Sequence, residues 1–197
     1  MELSQENGWL RRKAEEPGHT GWYIERFRKL AAAGEDLAGE ARLVDAMVPR
    51  NARVLDAGAG TGRVGAALAA AGHEVVGVDL DPELVLAARK DYPGPAWLVG
   101  DLVDLDLDPA DFDAIVCAGN VMAFVAPATR VQILGNLKRH LKDGGRLVVG
   151  FGAGRGYTFE EFLADVTKAQ LKTDVLLATW DLRPFTPDSD FLVAILS

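Results

Sequence analysis

The feature that most constrains this chain is an alternation. Between residues 53 and 151, short apolar runs recur with helical patterns between most of them. Arg53-Val54-Leu55-Asp56, Glu74 to Asp79, Ala96 to Val99, Phe112 to Ala118 and Arg146 to Phe151 read as five strands. Val64 to Ala71, Glu83 to Lys90 and about Ala128 to Leu141 read as helices, with Pro82 opening the second and Gly144-Gly145 stopping the third. Apolar strands joined by crossover helices imply βαβ units and a mostly parallel sheet covered on both faces.

The last quarter breaks the alternation. A helix from about Phe159 to Ala169 leads to a strand at Asp174 to Trp180, a turn at Pro184 and Pro187, and a final strand at Asp190 to Leu196. That connection is too short for a crossover helix, so the two strands are expected to pair antiparallel. Two helical patterns, roughly Tyr23 to Ala33 and Leu37 to Val48, precede the sheet. The expected organisation is one structural domain, with a helical cap over residues 1–49 on an α/β body over 50–197.

Charge narrows the partners. The 197 residues carry a formal net charge of −8, which argues against nucleic acid and anionic membrane surfaces, since both demand a positive field. From Glu74 to Asp113 there are eleven carboxylates against two bases, Arg89 and Lys90. Asp104, Asp106 and Asp108 read as a solvated loop face. No apolar run approaches the ~20 residues of a membrane span. The N-terminus, Met1-Glu2-Leu3-Ser4-Gln5-Glu6, is polar and acidic, so no secretory signal is expected and a cytoplasmic location is. A single cysteine, Cys117, leaves no intramolecular disulfide and no zinc–cysteine cluster, and no metal is expected.

The most informative stretch is Val54-Leu55-Asp56-Ala57-Gly58-Ala59-Gly60-Thr61-Gly62-Arg63. Glycines between a strand and a helix let backbone amides approach a ligand beyond the strand's carboxyl end. Gly60 to Gly65 also matches the dinucleotide pattern G-x-G-x-x-G. The frame argues against that reading, because the strand ends near Asp56–Ala57 and Gly58 is the first loop glycine. Charge argues against it too. A carboxylate at Asp56 would repel a pyrophosphate and attract an ammonium, by ~4 kcal/mol at about 4 Å and intermediate dielectric. Asp79 ends the second strand 21 residues past Gly58, where an acid accepts from ribose hydroxyls. Gly100-Asp101-Leu102 follows the third strand, where the carboxylate can accept from an adenine amine, with Leu80 and Leu102 as apolar walls.

These residues resemble the class I S-adenosylmethionine-dependent methyltransferases. The likeness rests on Leu55 to Gly62, Val78-Asp79-Leu80-Asp81, Gly100-Asp101-Leu102 and Leu141-Lys142-Asp143-Gly144-Gly145-Arg146-Leu147. It covers the chain from about residue 22 onward. The resemblance implies a Rossmann-like doubly wound, seven-stranded sheet of order 3-2-1-4-5-7-6 with the last strand antiparallel. It implies S-adenosylmethionine as cofactor and S-adenosylhomocysteine as product. Asp56 with Ala57, Gly58, Gly60 and Gly62 would hold the methionine end, Asp79 the ribose and Asp101 the adenine. An N-terminal helix would lid the cofactor, with Tyr23, Arg26 or Arg28 meeting the methionine carboxylate.

Methyl transfer from a sulfonium needs alignment and desolvation more than acid–base groups. The resemblance sets Ala118 and Gly119 beside the transferable methyl, with Asn120 positioning the substrate. Met122, Arg155, Trp180, Asp181 and Arg183 are candidates for the substrate pocket. The fourth strand is not followed by an Asn or Asp and two prolines, which argues against base amines in nucleic acid. A small-molecule acceptor is expected, on a monomer or homodimer. His73 and His140 read as structural, His140 at a helix C-terminus that favours a cation; His19 stays open. Cys117 reads as a buried small hydrophobe. The alternatives are a nicotinamide-dependent oxidoreductase and a non-catalytic cofactor-binding module.

Overall fold

The computed structural model describes residues 7–197, so the reading of the N-terminal hexapeptide lies outside the described residues. Strands β1 (Arg53–Ala57), β2 (Glu74–Asp79), β3 (Ala96–Val99), β4 (Phe112–Cys117), β5 (Leu141–Gly152), β6 (Thr173–Leu177) and β7 (Phe191–Leu196) form one sheet. Its order is β3-β2-β1-β4-β5-β7-β6, as the resemblance implied. The first five strands pair parallel, and β7 runs antiparallel to both β5 and β6.

Each central strand is buried on both faces, and its alternate residues feed two separate cores. Leu55, Ile115, Leu147 and Val149 pack with Ile133, Leu137, Phe151 and Phe162 on one face. Val54, Ala114, Val116 and Val148 pack with Leu43, Val44, Val64 and Leu68 on the other. The second core is covered by α3 (Gly39–Met47) and α4 (Arg63–Ala70); the first by α7 (Arg130–Arg139) and α8 (Phe159–Lys168), numbered in chain order. The chain also forms α5 (Pro82–Asp91) and the single turn α6 (Val121–Phe124).

Three expectations are corrected. The N-terminal region holds α1 (Gly8–Glu15) ahead of α2 (His19–Ala32), whereas no helix was read before Tyr23. Its start is set by Asn7, whose Oδ1 accepts from the amides of Trp9 at 3.0 Å and Leu10 at 3.3 Å. The fifth strand begins at Leu141, not Arg146. Gly144-Gly145 does not stop a helix but forms a bulge in the strand, between the pairs Phe112↔Leu141 and Ala114↔Arg146. Gly144 has φ +76°, and a Cβ on Gly145 would lie 2.8 Å from the Phe112 carbonyl oxygen. The sixth strand ends at Leu177 rather than Trp180, because the chain turns back there and the Ala178 amide donates to the Arg183 carbonyl at 2.8 Å.

Candidate active site

The loop between β1 and α4 is stitched to the end of β2. The amides of Gly58 and Ala59 both donate to the Val78 carbonyl, at 2.8 and 3.0 Å. The Gly60 amide donates to Asp79 Oδ2 at 2.8 Å, and the Asp81 amide to Asp79 Oδ1 at 2.9 Å. Asp56 Oδ2 accepts from the Gly65 amide at 2.9 Å in the first turn of α4. That approach explains the literal dinucleotide pattern. A Cβ on Gly65 would meet Trp97 at 2.8 Å and Asp56 Oδ2 at 3.1 Å, and one on Gly62 would meet Ala88 at 2.9 Å. Both glycines serve helix-on-sheet packing.

These elements open onto a cavity of about 610 Å³. Asp56, Gly58, Gly60, Asp79, Leu80 and Asp101 lie along one wall, with Gly100 and Leu102 beside them. Trp9, His19, Trp22, Tyr23 and Phe27 from α1 and α2 form the roof. Trp9 meets Tyr23 and Phe124 edge-on, at centroid distances of 5.3 and 6.2 Å. At the far end stand Ala118, Gly119, Asn120, Arg155, Trp180 and Phe191. Asn120 adopts φ +69°, and its Oδ1 accepts from the Gly152 amide at 2.8 Å, so the side-chain NH₂ remains to donate elsewhere. The Trp180 ring packs against Gly150, where a Cβ would lie 2.2 Å from it.

The three strand-end carboxylates differ electrostatically. Burial pushes the Asp56 carboxyl up to about 7, against the opposing Gly65 amide bond. Burial likewise raises Asp79 to about 6, with the amides of Asp81 and Gly60 pulling the other way. Asp101 is exposed, and its Oδ1 accepts from the Val103 amide at 3.0 Å. Asp56 is therefore not the standing anion that the sequence suggests. A cation bound beside it must also draw off the proton that burial retains.

Six residues expected at the site, the exposed Asp181 among them, do not line the cavity. Arg28 turns outward, its Nε 2.8 Å from Asp91 Oδ2 and its Nη1 2.6 Å from Glu25 Oε1. Met122 is wholly buried in the core. Arg183 is exposed beside Asp181. Ala57 points into the sheet core, and Gly62 packs against α5 and β3. Tyr23, Arg26, Asp56, Gly58, Gly60, Asp79, Leu80, Gly100, Asp101, Leu102, Ala118, Gly119, Asn120, Arg155 and Trp180 do line it. Sequence reasoning missed Trp9, Arg12, Phe27, Glu40, Arg63 and Phe191. The capping Asn7 before Gly8 and Trp9 was the available signal for the first of these.

His73 is buried with Nε2 2.9 Å from Asp45, holding α3 to the turn before β2. His140 Nε2 accepts from the Leu107 amide at 3.0 Å while Nδ1 faces the Asn136 carbonyl at 2.7 Å. That pattern requires the neutral Nδ1–H ring, not the cation a helix C-terminus favours. His19 lines the roof and stacks on Trp22 at 5.4 Å. Burial pushes the Cys117 thiol up to about 12, which leaves it a small hydrophobe.

Comparison with known proteins agrees with this architecture. The family described as "Methyltransferase domain" matches residues 54–145. A crystal structure of a TehB-like SAM-dependent methyltransferase from Corynebacterium glutamicum superposes with a TM-score of 0.89 at 49% identity, covering 92% of this chain and 99% of that one. A demethylmenaquinone methyltransferase of Clavibacter sepedonicus is 33% identical over 129 residues, 64% of this chain and 51% of its own length. A ubiquinone biosynthesis O-methyltransferase of Xylella fastidiosa is 41% identical over 107 residues, 50% of this chain and 41% of its own length. The chain thus spans about half the length of these two curated relatives, or less. It belongs to the class I S-adenosylmethionine-dependent methyltransferases. Among the described residues, no helix is long and apolar enough to cross a membrane.

Proposed function

We propose that this protein moves the methyl group of S-adenosylmethionine to a small-molecule acceptor by in-line displacement. The observation that carries this reading is the set of three carboxylates at the ends of neighbouring strands β1, β2 and β3, all on one wall of one cavity. Asp79 keeps both oxygens on backbone amides, which fixes the carboxylate and leaves lone pairs for vicinal ribose hydroxyls. Asp101 accepts from the adenine amine, with Leu80 and Leu102 against the ring. Asp56 and the Gly58–Gly60 backbone take the amino-acid end. The Tyr23 hydroxyl, 3.9 Å from where a Cβ on Gly60 would stand, closes over it.

When bound, S-adenosylmethionine supplies an already activated methyl, so the protein's task is positioning and exclusion of water. Ala118 and Gly119 leave space for the acceptor, since a Cβ on Gly119 would meet nothing within 4 Å. Asn120 offers its free NH₂ to orient the acceptor, and Trp180, Phe191 and Arg155 wall the far end. The net charge of −8 supports an acceptor that is not nucleic acid. The quinone-pathway names of the two curated relatives support a small molecule of some kind. Release of S-adenosylhomocysteine over a panel of small acceptors tests the proposal. Asp79→Arg is expected to abolish turnover, and undiminished turnover by that variant would contradict it.

A further inference from the structure

Of the polar ties that hold the roof to the body, those on one buried residue are the most numerous. Asp81 opens α5 and is completely buried, yet it lines no part of the cavity. Four donors from three elements converge on its carboxylate. Lys13 Nζ of α1 reaches Oδ1 at 2.8 Å, Trp9 Nε1 of α1 reaches Oδ2 at 2.9 Å, and Thr20 Oγ1 of α2 reaches Oδ2 at 2.8 Å. The fourth is the Glu83 amide at 3.0 Å, the ordinary N-cap bond of α5. An N-cap needs only that last bond; the other three tie both roof helices to the body.

The same residue is joined to the floor, since its amide donates to Asp79 Oδ1 at 2.9 Å. One dipeptide step therefore separates the carboxylate assigned to the ribose from the carboxylate that holds the roof. The other ion pairs between roof and α5, Arg28 to Asp91 and Lys13 to the exposed Glu83 at 2.8 Å, are part-exposed, and pairs of that kind contribute ~0–1 kcal/mol. Removing one partner of a buried, fully bonded carboxylate strands polar groups and is felt far more strongly.

We infer that Asp81 is a positioning residue, a latch that keeps α1 and α2 closed over the cavity and thereby sets how tightly the cofactor is held. This rests on reading the cavity as the S-adenosylmethionine site. The latch touches no ligand; it acts through Trp9 and Tyr23, which do line the cavity. Floor and roof share Asp79–Asp81, so a closed roof that tightens the ligand is in turn favoured by the ligand to the same degree, since coupling between binding and closure is reciprocal.

The test leaves the α5 cap intact by altering only roof-side donors that do not line the cavity, in the double variant Lys13→Met, Thr20→Val. Amide hydrogen exchange and S-adenosylhomocysteine affinity are measured on the whole chain, with strands β1 and β4 as internal reporters of an intact body. Exchange across residues 9–32 is expected to speed up while β1 and β4 stay protected, and affinity to fall by about tenfold, within the usual span of coupling. Lys13→Arg alone should restore wild-type protection and affinity, and Arg28→Ala should change affinity by about twofold or less. A double variant with wild-type affinity and wild-type roof exchange would overturn the latch while leaving the cofactor site standing. A wild-type protein that binds no S-adenosylhomocysteine would instead remove the cofactor reading itself, and the affinity claim with it.

Discussion

At the scale of single residues, two buried carboxyls govern how the protein should respond to pH. Asp56 at about 7 and Asp79 at about 6 hold their protons more tightly folded than unfolded, because burial disfavours the anion. Their contribution to stability is therefore complete below ~4, the unfolded value, and is lost as pH rises through about 6 and 7. The ligand-free protein should melt at a lower temperature at pH 8 than at pH 5 on this account. Affinity runs the other way. An ammonium beside Asp56 and hydroxyls on Asp79 prefer the anions, so S-adenosylmethionine should bind more tightly as pH rises from 5 to 8. Calorimetry in buffers of different ionisation heat reads the released protons directly, and Asp56→Asn should flatten the profile.

At the scale of elements, the glycines that read as a ligand loop divide into two groups. Gly58 and Gly60 do face the cavity, whereas Gly62 and Gly65 let α4 settle against Trp97 and Asp56. That division was not legible in one dimension, because both groups sit in the same ten residues and only the packing partners differ. The same holds for Arg28. Its place in the N-terminal helix was readable, but its direction depends on Asp91, 63 residues away. Strand ends were readable wherever an acid or glycine closed an apolar run, and so Asp56, Asp79 and Asp101 were found. Gly144-Gly145 misled because a glycine pair ends a helix and bulges a strand by the same conformational freedom. Two substitutions follow from the packing. Gly77→Ala forces a Cβ to 2.3 Å from Trp97 in the sheet core and should cost ~1–3 kcal/mol of stability, read by denaturant titration. Gly150→Ala must push Trp180 off its seat; it should raise the acceptor KM by ~10-fold while S-adenosylhomocysteine affinity stays within about twofold.

At the scale of the whole molecule, the body and the roof do different work. The sheet presents acidic strand ends along one wall, and the roof is drawn over them by α1 and α2. The βαβ rhythm and the short final connection made a mostly parallel sheet with an antiparallel end legible in the residues, while the strand order was legible only through the family resemblance. The roof was not, since α1 lies in a polar stretch whose helix is settled by Asn7 and by contacts to Asp81. A ligand that fills this cavity stabilises the folded chain by mass action, ~2.7 kcal/mol at a hundredfold excess over Kd. For a chain of this size each kcal/mol moves Tm by ~2–4 °C, so saturating S-adenosylhomocysteine should raise Tm by ~5–11 °C. The decisive measurement is a calorimetric titration of the wild-type chain and Asp79→Arg with S-adenosylhomocysteine, alongside NAD. One equivalent of S-adenosylhomocysteine should bind the wild type, none should bind the variant, and NAD should bind neither. Heat from NAD alone, or equal S-adenosylhomocysteine binding by both chains, would contradict the account.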